Sequence, residues 1–171
     1  MITTISKPQP GDYPDYYGRY IDLVESENLL EQMESVTQQT FNFFEQLEDK
    51  SLHSYAEGKW NIRQILQHIV DTDAVFIYRC LRFIRKDPTP LPGFDQDLFA
   101  QNDPQESTYR HLLTTFLRVR QISLLFFGGF SEEDWKAFGT ASDHKMSVSA
   151  LAYAMTGHSL HHINVIKERY L

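Results

Sequence analysis

The chain has 171 residues and a mass of 20.0 kDa, which is one domain's worth of sequence with little room for a second. Hydrophobic residues at 42% and charged residues at 23% exclude wholesale disorder, and a chain this long buries a core without disulfides. The formal charge of −7 and pI near 5.4 argue against a nucleic-acid partner, because phosphates repel an acidic protein.

The single cysteine, Cys80, makes an intrachain disulfide impossible and fits a reducing compartment. Residues 1–8 show no charged stretch followed by an apolar run, so no secretion signal is expected. The apolar stretch 122–130 holds two glycines and falls well short of the ~20 residues a spanning helix needs. A cytoplasmic protein with no membrane partner is predicted, built as a single domain over residues 1–171.

Residues 1–20 read as an extended Tyr/Pro-rich arm and residues 21–171 as a helical bundle. Pro-x-Pro and Tyr-Pro steps disfavour helix in residues 8–20, and four tyrosines (Tyr13, Tyr16, Tyr17, Tyr20) predict that the arm lies against the body. A first helix spans 26–48, with Leu29, Met33, Val36, Thr40, Phe44 and Leu47 at three- and four-residue spacing. A second opens on Asn61 with Gln64 completing a capping box, and runs to about Lys86, where Asp87-Pro88 ends it. Residues 87–102 form a long connection. A third helix is predicted from Asp103 as cap, Pro104 in the first turn and Glu106, ending at Gly128-Gly129. Residues 131–135 read as one capped turn and 140–146 as a polar loop. A fourth helix starts near Ser147 or Ser149 and continues to the C-terminus. No strand alternation and no repeat is visible, so the fold class is all-α, a four-helix bundle.

Three of the seven histidines carry a pattern. His158 and His162 are four apart and stack on one face, the same face as Leu151, Met155, Val165 and Ile166. Two imidazoles on a buried stripe need partners, and one divalent metal satisfies both. The alternative is that each bonds a neighbouring hydroxyl or carbonyl. His68, at the edge of the second helix's apolar stripe, would complete a three-histidine set with open positions. Asp71, one turn on, is a candidate to orient a ligand, or a solvent-facing charge. His161 points to the flank and is a candidate general base, or a surface residue. Cys80 reads as a buried structural thiol, and His53, His111 and His144 as ordinary. Tyr16, Tyr20, Phe94 and Trp135 either roof a cleft or pack the bundle ends.

Residues 58–71 (GKWNIRQILQHIVD), residues 157–166 (GHSLHHINVI) and the PGFDQD stretch at 92–97 resemble the DinB-like superfamily of metal-binding four-helix bundles. The pairing of a tryptophan eight residues before a histidine with His-x-x-His-His on the last helix makes the likeness specific. That superfamily includes bacillithiol S-transferases and mycothiol-dependent maleylpyruvate isomerases. The resemblance implies an up-down-down-up bundle with a long crossover, which suits residues 87–102. It also implies metal ligation by His68, His158 and His162, a bound zinc, nickel or iron ion, and a homodimer.

A three-histidine ion keeps its full charge and lowers the pKa of a bound thiol or water. Two reactions on a small-molecule substrate follow: S-transfer from a low-molecular-weight thiol, which the resemblance favours, and hydrolysis. No Glu follows His158, which weakens a peptidase reading. A non-catalytic metal-binding or stress-response role is the third reading.

Overall fold

In the computed structural model, which describes residues 5–26, 28–104 and 106–171, the elements follow in order. They are α1 (Gly18–Ile21), α2 (Leu29–Glu45), α3 (Ile62–Ile84), α4 (Gln96–Gln101), α5 (Tyr109–Gly128) and α6 (Glu132–Trp135). The strands β1 (Phe138–Ala141) and β2 (His144–Ser147) and the helix α7 (Val148–Arg169) complete the chain. The secretion-signal reading of residues 1–8 falls partly on residues 1–4, outside the described residues, as do Glu27 and Gln105. Among the described residues, no helix is long and apolar enough to cross a membrane.

Capping chemistry fixes where the long helices begin. The Asn61 side chain accepts from Gln64 N and the Gln64 side chain from Asn61 N, a reciprocal box as the sequence predicts. Ser147 caps α7 through Ala150 N, and Gly129 ends α5. The third long helix starts later than its Asp103-Pro104 signal suggests. Thr108 is its cap, accepting from His111 N. Asp103 instead lies buried against Arg63, with Nε–Oδ2 at 3.2 Å, five residues ahead of the cap that α5 uses.

Two buried clusters set the helix directions. At one end Phe44 of α2, Ile62 and Leu66 of α3, Tyr109 and Leu113 of α5, and Ile166 of α7 pack together. At the other end stand Leu29 and Met33, Phe76 and Phe83, Phe127, and Val148 and Leu151. The C-terminal end of α2 therefore meets the N-terminal ends of α3 and α5 and the C-terminal end of α7. The order is up-down-down-up. Both α2 and α3 pack against α5 and α7, so α2 stands diagonal to α3 and α5 diagonal to α7, while α3 and α5 are neighbours. Residues 85–108 consequently run the length of the bundle as a crossover.

Three loop readings are corrected. The arm is not extended throughout: Asp15–Tyr17 is a turn of 3₁₀ helix leading into α1. The crossover contains α4, capped by Asp95. Residues 138–147 form an antiparallel hairpin, turned by Ser142 and Asp143 at φ +50° and +64°. Leu91 of the crossover bridges to Ala141, its N–H donating to Thr140 O at 2.9 Å.

At mid-bundle Arg120 and Asp73, both fully buried, join α5 to α3. Arg120 Nε meets Asp73 Oδ2 at 2.6 Å and Nη2 meets Oδ1 at 3.2 Å. The same Nη2 donates to Met155 O at 2.9 Å and Ser159 Oγ at 2.6 Å, adding α7 to the junction. Burial pushes the Asp73 carboxyl up to about 6 while Arg120 holds it down. Removing one partner strands the other charge. Arg120→Met is expected to cost about 3–5 kcal/mol in urea unfolding, and Arg120→Met with Asp73→Leu to recover most of that loss. A single variant within 1 kcal/mol of the parent contradicts the assignment.

Candidate metal centre

α7 places His158 and His162 one turn apart, and α3 places His68 opposite them. Because α3 and α7 run antiparallel side by side, residues ninety apart in sequence meet. His68 Nε2 lies 3.1 Å from His158 Nε2, and His162 Nε2 lies 2.9 Å from the same atom. One ligand atom from each of the three rings falls within 4.8 Å of the other two. Trp60, just before the α3 cap, packs on the His68 ring at a centroid distance of 4.9 Å.

The surroundings differ from a simple apolar stripe. The stretch of α7 from Ala150 to Ser159 is buried on every side, because the arm covers the face the bundle leaves open. Gly157 makes that possible. A Cβ there would stand 1.8 Å from the Tyr20 carbonyl oxygen, so only glycine admits the α1 backbone. Tyr20 then sits edge-on to both His158 and His161, with centroids 5.1 and 5.2 Å away, and its hydroxyl meets that of Tyr16 at 2.9 Å. Neither Gly157 nor Tyr20 is marked by spacing. The signals are the density of tyrosines in the arm and the place of Gly157 at the head of the GHSLHHINVI stretch.

Burial sets the protonation state. It holds His68 down to about 4 from the ordinary 6.5, with His161 adding a smaller push. Burial also carries His158 and His162 well below that value, reinforced by the other imidazoles and, for His158, by Arg120. All three rings are thus neutral at pH 7, the form that binds metal. The hydrogen-bond ledger does not close without another group. His158 Nε2 faces two neighbours with room for one proton, and the Nδ1 atoms of His158 and His162 are buried without partners. Nitrogens bound to one zinc at about 2.0–2.1 Å stand about 3 Å apart when bond angles are near 90–100°, so the observed spacing suits a shared ion.

The other candidates stand apart. Asp71 accepts from Gln67 Nε2 at 2.8 Å and faces the α4 side with Leu98 and Phe99, away from the imidazoles. The structure does not bring it to the cluster. Burial nonetheless raises its carboxyl. His161 is half-buried, edge-on to His162 at 5.2 Å, and outside the three-ring set. Trp135 packs in the core on Phe127 and Phe130 and roofs nothing here. Cys80 is fully buried and burial pushes its thiol up, so it is structural.

A cavity of about 160 Å³ ends on His68 and His158. The arm supplies Tyr16, Tyr17 and Tyr20 to its wall, the crossover Phe94, and α3 Thr72 and Arg79. A larger groove of about 640 Å³ beyond Trp60 reaches only His162. The smaller cavity is the better reaction space, because it meets two of the three rings.

Comparison with known proteins places this geometry. The DinB superfamily pattern matches residues 32–166, and the chain belongs to that superfamily. It is 30% identical over 145 residues, 81% of each chain, to a protein of Oceanobacillus iheyensis named "Putative metal-dependent hydrolase OB0413". Among solved structures it is similar to YfiT from Bacillus subtilis, described as a probable metal-dependent hydrolase with an unusual four-helix bundle topology. The TM-score is 0.65 over 95% of this chain and 90% of that one, at 15% identity, a likeness of fold.

Two outcomes are expected. In metal-free protein the unfolded chain takes up a proton on His68 before the folded chain does. That share of stability is therefore complete above pH 6.5 and lost as pH falls towards 4, on the order of 3 kcal/mol. Urea titrations across that range should show the loss, with a shallower slope in His68→Phe. Gly157→Ala should destabilise by about 1–3 kcal/mol, since backbone rather than a flexible side chain must move. An unchanged urea midpoint would show that α1 does not sit where described.

Proposed function

We propose that this chain is a metal-dependent hydrolase of a small molecule, with His68, His158 and His162 holding one divalent ion. The observation that carries the reading is the convergence of the Nε2 atoms of three neutral imidazoles, His68 and His158 buried and His162 half-buried, two of them at the end of a cavity. The names given to the similar proteins support it. Such an ion supplies a Lewis-acid charge that lowers the pKa of a bound water or thiol. The chain's own residues do the rest. Trp60 and Tyr20 fix two of the rings by packing. Arg120, anchored by Asp73, keeps positive charge behind His158 and so disfavours its protonation. The aromatic arm limits water around the cavity.

Thiol S-transfer is the second reading, and one observation favours it. Among the described residues no carboxylate lines the cavity, and Asp71 is turned to Gln67. Hydrolysis calls for a proton acceptor, for which half-buried His161, edge-on to His162, is a candidate, whereas a thiol on a metal ion is deprotonated outright.

Purified protein is expected to carry one zinc, nickel or iron ion per chain by plasma mass spectrometry. His158→Ala should abolish the rise in melting temperature on adding zinc. Absence of metal together with an unaltered response in His158→Ala removes the reading. Hydrolysis of p-nitrophenyl esters against conjugation of small thiols to monochlorobimane then separates the two reactions.

A further inference from the structure

Three arginines are buried: Arg63, Arg79 and Arg120. Two have buried carboxylate partners, Arg63 with Asp103 and Arg120 with Asp73. Arg79, 2% exposed, has no carboxylate partner among the described residues. Its Nη2 donates to Ser142 Oγ at 2.9 Å and to the Pro92 carbonyl at 3.4 Å, and Tyr17 is a further polar neighbour. These groups are neutral. They satisfy donors without balancing the charge, and a desolvated guanidinium without a counter-charge is costly.

Arg79 lines the cavity that ends on His68 and His158. It stands eleven residues after His68 on α3, three turns, and therefore on the same face. Their backbones are about 16 Å apart along the helix, and helical side chains lean towards the N-terminus, so Arg79 reaches back towards the imidazoles. Between them on this face is Thr72, 5% exposed, whose Oγ1 has no hydrogen-bond partner. A threonine inside a helix ordinarily bonds the carbonyl one turn back. Here the hydroxyl is left for something in the cavity.

We propose that Arg79 is the anchor for a carboxylate on the substrate, with Thr72 bonding the middle of the molecule. The reaction would then act on a small molecule whose carboxylate lies at the far end from the bond brought to the imidazole cluster. This rests on the reading of the cluster as the reaction centre. It adds the substrate class, a carboxylate-bearing small molecule. The two neutral acceptors of Arg79 are what keep the charge available: a salt bridge would have quenched it, as at Arg63 and Arg120.

The test uses zinc-free protein and straight-chain acids from acetate to hexanoate, each against its neutral amide at matched ionic strength, with NMR titration as the readout. At least one acid is expected to bind ten times or more tightly than its amide, shifting signals of α3 near Thr72. Arg79→Gln should weaken that binding at least tenfold, and Thr72→Val, nearly the same shape, about fivefold. The ligand-free melting temperature of Arg79→Gln should not fall, because the variant removes an unbalanced buried charge. Equal binding of acid and amide, or acid binding retained in Arg79→Gln, overturns the proposal. So does a lower melting temperature in Arg79→Gln without loss of acid binding, which marks Arg79 as only a tie between crossover and hairpin. Zinc uptake is measured on separate samples. One zinc bound with no acid preference sinks Arg79 alone, and acid preference with no zinc sinks the metal reading alone.

Discussion

The molecule is organised around an unfavourable arrangement: three imidazoles taken out of water and pointed at one another. Their Nε2 atoms stand 2.9 and 3.1 Å apart, and two outer nitrogens find no partner. Desolvated polar groups of this kind persist only when the surroundings hold them there. The surroundings do so from three sides. Trp60 packs on His68, the arm lays Tyr20 on His158 through the notch at Gly157, and the Arg120–Asp73 junction fixes the turn of α7 that carries His158 and Ser159. Each support comes from a different part of the chain.

Much of this was legible in sequence, because helices write their periodicity and caps locally. The Asn61–Gln64 box, the Ser147-or-Ser149 start of the last helix and the Gly128-Gly129 stop needed no tertiary information, and the i,i+4 spacing of His158 and His162 is a property of one helix. The up-down-down-up order came from resemblance, and His68 was a candidate from its place at the edge of an apolar stripe that the resemblance reinforced, since neither pairing across ninety residues nor helix adjacency is written in a local pattern. The errors share a cause. Asp103-Pro104 carries good cap chemistry, but Thr108 caps α5 and Asp103 pairs with the buried Arg63. The hairpin strands are four residues each, too short for alternation to show. Asp71 lies within a turn of His68, yet a helix places neighbours three apart on slightly different bearings, and Gln67 is better set to meet it.

The buried charges divide by purpose. Arg120 and Arg63 are matched with carboxylates and tie elements together. Arg79 sits where α3, the crossover and the hairpin meet, and is given only neutral acceptors. Proteins hold buried charges paired unless another demand competes with stability. The contrast within one bundle marks Arg79 more clearly than its burial alone.

The diagonal placement of α2 to α3 and of α5 to α7 also bears on how the chain reaches this state. In an up-down-up-down bundle each neighbouring pair closes as a hairpin with little entropy lost. Here α2 and α3 part company at once, and each must wait for α5 and α7. All four interfaces among the long helices join segments separated by long loops, so each closes at a larger loop-entropy cost than a helical hairpin would. The α2–α5 and α3–α5 interfaces need no part of the last helix, whereas the two that carry the imidazole cluster and cover it both wait for α7.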